Sequence, residues 1–192
     1  MCNLYRIEKN PDAIRRLFAD AQIPLTFPEG IPNLEPRDIR ITDRAPVVRW
    51  SGDHAELVER RWSWPSPYGS PLFNLRSDGR NFARDRCLVP MDGFYEFTKP
   101  ADPGQKRKDC WLFRPAEGKA FAIAGLLRTH PDVGEAFTLL TAPPGLDVEL
   151  YHGRQIVLLP PDKWRSWLDG SGPSAELLVP TPAGSLDVAP TR

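Results

Sequence analysis

The sequence is short of cysteine, of net charge and of long hydrophobic runs. Its three cysteines, Cys2, Cys87 and Cys110, are an odd number at wide spacing with no C-x-x-C pair. That argues against a disulfide framework and against a structural zinc site, and no other pattern marks a metal or a cofactor. The longest apolar run, Ala120 to Leu127, is eight residues, whereas a membrane span needs about 18. The opening stretch also lacks the ~7–15 apolar residues of a signal peptide. The expectation is no membrane contact and a reducing, cytoplasmic compartment. The 22 prolines and 14 glycines are many for a helix bundle, yet below the roughly 25–30% of composition that marks disorder. Many short strands joined by turns fit this content, and 192 residues can bury a core without staples, as a single domain over 1–192.

The 25 Lys+Arg and 25 Asp+Glu cancel, but they are not mixed evenly. From Arg60 to Lys108, ten basic residues face five acidic ones, a local +5; from Pro131 to Arg192, eight acids face four bases, a local −4. A polyanion can bind one face of such a neutral protein. The plainer alternative is that these side chains are simply solvated.

Asn10 followed by Pro11, with Ile14, Leu17 and Phe18 on one stripe, predicts a short helix to about Ala21. Pro24, Pro28, Pro32 and Pro36 forbid regular structure up to Ile39, where a strand-like region begins and reaches Trp50. Further strands are expected at Ala55–Arg61, Cys87–Pro90, Gly93–Thr98, Cys110–Arg114, Ala120–Leu127, Phe137–Ala142 and Gln155–Leu159. A second helix is expected from Pro161 to Leu168, with Trp164 and Trp167 in the core. Glu176–Val179 and Ser185–Val188 read as edge strands.

Cys2 follows the initiator methionine, and its small side chain makes that methionine removable. As a new first residue it would carry an α-amine, reference pKa about 7.7–8, beside a thiol near 8.5. Such a 1,2-aminothiol captures aldehydes: the amine forms an imine and the tethered thiol closes a thiazolidine ring. The alternative for Cys2 is a small packing residue. Glu96, in Gly93-Phe94-Tyr95-Glu96-Phe97, shares a strand face with Phe94, and desolvation among aromatics would raise its pKa toward a useful acid–base value; the alternative is a solvent-facing glutamate. His152 follows a turn and precedes a buried strand, which fits either a site mouth or a surface loop. Asn74 and Arg76 lie together in Phe73-Asn74-Leu75-Arg76.

The start Met1-Cys2-Asn3-Leu4-Tyr5-Arg6, then Asn74-Leu75-Arg76, Arg86 through Phe97, and His152-Gly153-Arg154, in that order, resemble the SRAP family, the SOS-response-associated peptidase domain. The resemblance runs from Met1 to about Trp167. It implies an α+β fold, a single compact domain with a barrel-like pair of mostly antiparallel β-sheets and short peripheral helices. It also implies abasic-site chemistry on single-stranded DNA: Met1 is removed, Cys2 forms a thiazolidine cross-link with the ring-opened sugar, and Asn74, Glu96 and His152 complete the site. On this view Glu96 shuttles a proton, His152 protonates the sugar oxygen, and Asn74 holds the sugar or the Cys2 backbone. Arg76 and Arg154 contact phosphates, and Trp62 and Trp64 stack on bases or sit in the core. The protein would act as a cytoplasmic monomer, at the nucleoid during DNA damage if bacterial. Many members have Gly-Arg after the cysteine where this chain has Asn3-Leu4, leaving Arg6 as a substitute cation. Asp78 stands in place of a glutamate, and Gln155-Ile156 in place of Met-Pro. Two rival readings share the Met-Cys start or the basic segment: an N-terminal-nucleophile hydrolase or amidotransferase, and a non-catalytic single-stranded DNA-binding module.

Overall fold

A computed structural model of the chain describes residues 2–102 and 104–191. In chain order its elements are β1 (Leu4–Ile7), α1 (Pro11–Asp20), β2 (Leu25–Thr26), β3 (Arg37–Arg40), β4 (Arg44–Ser51), β5 (His54–Trp62), β6 (Trp64–Pro65), β7 (Pro71–Leu72), β8 (Asn74–Arg76), β9 (Arg86–Pro90), β10 (Gly93–Thr98), β11 (Asp109–Pro115), β12 (Ala122–His130), β13 (Gly134–Ala142), β14 (Gln155–Ile156), β15 (Leu158–Leu159), α2 (Pro161–Leu168), α3 (Ser174–Leu177) and β16 (Leu186–Pro190). None of these helices is long and apolar enough to cross a membrane.

Strands β13, β12, β9, β4 and β5 pair in that order, and β5 returns to β13 to close a five-strand barrel. Its junctions are antiparallel except the closing seam, a short parallel contact with Ala136 opposite Arg61 and Phe137 opposite Trp62. Above the seam, Glu135 pairs with both Arg49 and Arg60, whose other partners are Glu56 and Glu29. A second sheet, ordered β16-β11-β10-β1-β3, is antiparallel throughout. The fold is thus α+β with a barrel and a facing sheet, as expected.

The apolar residues explain how the two layers meet. Tyr5, Phe94 and Phe113 of the open sheet and Trp62, Leu88 and Phe137 of the barrel belong to one buried cluster. Phe94 stacks on Phe113 at 4.8 Å, and Trp62 meets Tyr5 edge-on at 5.2 Å. β10 leaves the barrel wall at Gly93, where a Cβ would lie 2.8 Å from the Phe113 carbonyl oxygen. Only glycine allows β11 to approach that closely. α1 is capped by Asn10, whose side chain accepts from the Ala13 amide at 2.9 Å, and Phe18 packs on Trp164 of α2 at 4.4 Å.

Four expectations need correction. The stretch with prolines expected to forbid regular structure up to Ile39 contains β2, because Leu25 and Thr26, free of proline, pair in parallel with Ala55 and Glu56 of β5, and β3 already starts at Arg37. The region from Ile39 to Trp50 is two strands, broken by a turn at Thr42 in the left-handed region (φ 80°). Gln155–Leu159 divides into two short strands, because the amide of Val157 turns to the Leu140 carbonyl of β13 while its own carbonyl accepts from Ala124 of β12. Glu176–Val179 is not an edge strand: Ser174–Leu177 forms the short helix α3. There the buried Ser174 hydroxyl takes the Phe82 amide at 3.0 Å, and Pro180 blocks continuation.

Candidate functional site

β1 delivers Cys2, and two polar contacts fix where it arrives. At its far end the buried Asp92 carboxylate accepts the amides of Glu8 (2.6 Å) and Lys9 (3.0 Å) and pairs with the Lys9 ammonium. This ties β1 to the corner from which β10 departs. At the near end, Asn74 Nδ2 donates to the Cys2 carbonyl oxygen at 2.7 Å. Asn74 can do so because β8 is held on the barrel, with Asn74 opposite Leu139 of β13. A barrel residue therefore grips the N-terminal strand of the other sheet.

β1 and β10 run antiparallel with Tyr5 opposite Phe94. Side chains alternate along β10: Tyr95 and Phe97 join Leu4, Cys110 and Leu112 in an outer cluster, while Phe94 turns into the main core. Glu96 shares the inward side with Phe94 and is 1% exposed. It is not a solvent-face glutamate. Burial pushes its carboxyl up to about 7, against an ordinary 4.5. Cys2 is also 1% exposed, its thiol donating to the Leu4 carbonyl at 3.3 Å. Burial first, and then the charge of Glu96, raise that thiol well above its ordinary value.

His152 arrives from the barrel side, on the turn after β13. Tyr151 anchors this turn: its ring lies edge-on to Trp111 at 4.9 Å and to Phe113 at 5.2 Å, and Trp111 is the residue opposite Glu96 in β11. Asp147 adds a second latch by accepting the amides of Gly184, Ser185 and Leu186 at 2.8, 2.9 and 3.1 Å. His152 Nδ1 lies 3.0 Å from both the amide nitrogen and the carbonyl oxygen of Arg154, which leaves Nε2 as the nitrogen turned away from that residue. Burial lowers the imidazole's pKa. Asn3, Glu96, Phe97, Lys108 and His152 line a cleft of about 290 Å³. A larger hollow of about 440 Å³ lies between Arg49, Trp50, Arg86 and Glu135, but there Arg49 and Glu135 already satisfy each other.

The structure thus brings together Cys2, Asn74, Glu96 and His152, four residues scattered through the sequence. Met1, expected to be removed, lies outside the described residues. The residues assigned to DNA contact divide differently. Arg76 is exposed and makes no ion pair among the described residues. Arg154 is committed elsewhere, pairing with Asp78 at 2.6 Å and donating to the Thr141 carbonyl at 2.7 Å. Arg6 pairs with Asp38 at 2.8 Å on the Tyr95 side of the open sheet, so it does not replace the missing cation beside Cys2. Trp62 is wholly buried and donates to the Phe73 carbonyl, which leaves no ring face for a base; Trp64 is largely buried as well. The exposed aromatic of that region is Tyr68, 95% exposed on the loop between β6 and β7. Sequence reasoning passed over Tyr68, Tyr151, Asp92 and Lys108. Tyr151 adjoins His152, Asp92 lies in the Arg86 to Phe97 segment and Lys108 ends the basic segment, whereas Tyr68 carries no signal.

The family model described as SOS response associated peptidase (SRAP) matches residues 1–191. The chain belongs to the SRAP family. Solved structures similar to this SRAP chain include a protein from Bordetella bronchiseptica at 22% identity and TM-score 0.74, with both chains fully covered. A phage-related protein from the same organism matches at 21% identity and TM-score 0.74, over 100% of this chain and 94% of the other. A protein from Bacteroides thetaiotaomicron matches at 17% and 0.73, over 100% and 92%. At such identities these likenesses establish the shared fold. Comparison with curated protein sequences gives no match.

Proposed function

We propose that this SRAP domain traps abasic sites in single-stranded DNA by covalent linkage to Cys2. The observation that carries the reading is the convergence of a buried cysteine two residues before β1, an amide on its carbonyl, and an acid and an imidazole at one cleft. Hydrolysis of the Met1–Cys2 bond would leave Cys2 with a free α-amine. That amine adds to the aldehyde carbon of the ring-opened sugar and loses one water to give an imine. Sγ then adds to the same carbon, the imine nitrogen takes up a proton, and the thiol proton leaves to a base. The sum is aldehyde plus aminothiol giving thiazolidine plus water.

The two titrating groups suit different steps. A Glu96 carboxyl near 7 is divided between acid and carboxylate at neutral pH, so it can protonate the departing hydroxyl and later accept the thiol proton. His152, its pKa lowered by burial, is mostly neutral at pH 7. It serves best as a hydrogen-bonding partner and proton acceptor, a smaller role than the sequence suggested. The raised Cys2 thiol stays protonated, and so protected from oxidation, until the imine is beside it. The test is incubation of mature protein with single-stranded DNA carrying one abasic site, followed by a denaturing gel. A retarded band is expected, absent when the aldehyde has first been reduced to an alcohol. Reversible binding without a covalent band would overturn the proposal.

A further inference from the structure

The cations of the Arg60–Lys108 segment are not equally available. Arg60 is spent on Glu29 and Glu135. Arg86 is buried on the carbonyl oxygens of Phe82, Ser166, Trp167 and Gly172. By contrast Lys99, Lys106, Arg107 and Lys108, all on or beside the loop joining β10 to β11, form no ion pair among the described residues, and all four are exposed. The loop's own carboxylates are engaged by hydrogen bonds within the loop. Asp102 accepts the Gly104 amide at 2.8 Å, and Asp109 accepts the Ala101 amide at 3.0 Å and Gln105 Nε2 at 2.8 Å. Gln105 also donates to the Arg107 carbonyl at 2.7 Å. Lys106, Arg107 and Lys108 are thus three consecutive exposed cations, and the last of them lines the cleft with Glu96 and His152.

β1 brings no cation to Cys2, since Leu4 is in the outer apolar cluster and Arg6 faces Asp38. Positive charge reaches the site from two other directions. Arg76 stands two residues beyond Asn74 on β8, hence on the same strand face and roughly 7 Å along, on the side from which Asn74 grips Cys2. Lys108 stands on the Glu96 and His152 side.

We infer that the 105–108 loop is a phosphate-gripping rim of the Cys2 cleft, and that it and Arg76 hold the backbone phosphates on opposite sides of the reacting sugar. The inference rests on the abasic-site reading and adds to it the group that positions the strand. It also supplies, from another sheet edge, the positive charge that β1 does not bring to Cys2.

The probe is a single strand with a tetrahydrofuran residue in place of the abasic sugar, which has no aldehyde and so reports binding alone. Two further versions carry one uncharged methylphosphonate linkage, either 5′ or 3′ of that residue. Each lost phosphate contact is expected to weaken binding about fivefold at 0.1 M salt and to reduce the log–log salt slope by about 0.7. The Lys106→Gln/Arg107→Gln/Lys108→Gln variant, its melting temperature unchanged because all three side chains are exposed, should bind more weakly and become indifferent to one of the two neutral linkages. Arg76→Gln should become indifferent to the other. A triple variant that keeps wild-type affinity, or full sensitivity to both linkages, overturns the rim. A wild-type protein that binds these strands with the expected slopes but forms no adduct with aldehyde-bearing DNA overturns the covalent reading and leaves the rim standing.

Discussion

Cys2 and Cys87 are buried to the same degree, at 1% and 0% exposure, and burial raises both thiols. Their surroundings differ. Cys87 lies in the barrel wall with Gly125 of β12 and Arg49 of β4 as its register partners and the Trp167 indole donating to its backbone carbonyl at 2.8 Å; the Glu135 charge also acts on its thiol, but Glu135 is held by Arg49 and Arg60. Cys2 has the Asn74 amide on its carbonyl, the Glu96 charge acting on its thiol, and a cleft with an imidazole beside it. Burial alone therefore does not distinguish a reactive cysteine from a packing one. The distinguishing feature is an acid and an imidazole gathered at one cleft next to Cys2, whereas the charge near Cys87 is tied into the Arg49–Glu135–Arg60 network, and here the open sheet and the barrel must meet to gather them.

The sharpest way to break this comparison is to exchange the cysteines' fates by mutation. Cys2→Ser keeps the amine but has no thiol to close the ring, so the stable adduct on a denaturing gel should vanish, whereas Cys87→Ala should retain it at wild-type yield. A stable adduct from Cys2→Ser would erase the distinction. Next in size is Glu96→Gln, which preserves shape but cannot carry a proton. Release of DNA from a preformed adduct, followed over time with competitor abasic DNA, should slow by about 10²–10⁴-fold, the usual range for general acid–base catalysis.

The same substitution should leave a mark on stability. A carboxyl raised from 4.5 to about 7 in the folded state binds its proton more tightly folded than unfolded. It favours the fold below about pH 4.5 and loses that contribution as pH rises through about 7. Glu96→Gln and wild type should therefore melt alike at pH 4, with the variant the more stable at pH 8 by up to about 3 kcal/mol. Thermal melts across that range check the sign, and a wild type stabilised relative to the variant at pH 8 would contradict the burial argument. The smallest effect is expected for Cys87→Ala itself. Removing one buried sulfur leaves a small void worth about 1 kcal/mol in denaturant unfolding, with linkage unaffected.

Much of the barrel was legible because its strands are nearly continuous apolar runs flanked by glycine, proline or aspartate. Phe137–Ala142 and Cys87–Pro90 could be bounded to within a few residues for that reason. α3 was misread because Glu176–Val179 is too short to show a period; its helical state is set by Ser174 bonding to the distant Phe82, a contact no local pattern announces. The four site residues were found through motif order and not through periodicity, for they come together only when β1 crosses from the barrel corner to pair with β10. The arginines were the weakest part. Sequence shows that Arg154 and Arg6 are positive, but not that Asp78 and Asp38 fold back onto them. Trp62 misled for the opposite reason: its place at the barrel seam, beneath Tyr5 and parallel to Phe137, depends on a closure made by two residue pairs.

The most direct measurement for the central claim is mass spectrometry of the adduct. Mature protein is linked to a short single strand with one abasic site, the DNA is trimmed to the modified sugar, and the protein is digested and sequenced by fragmentation. The account predicts the added sugar mass, less one water, on the N-terminal peptide at Cys2, with the peptides containing Cys87 and Cys110 unmodified. Sugar mass on a lysine of the 106–108 rim, on Cys87, or on no residue would contradict it.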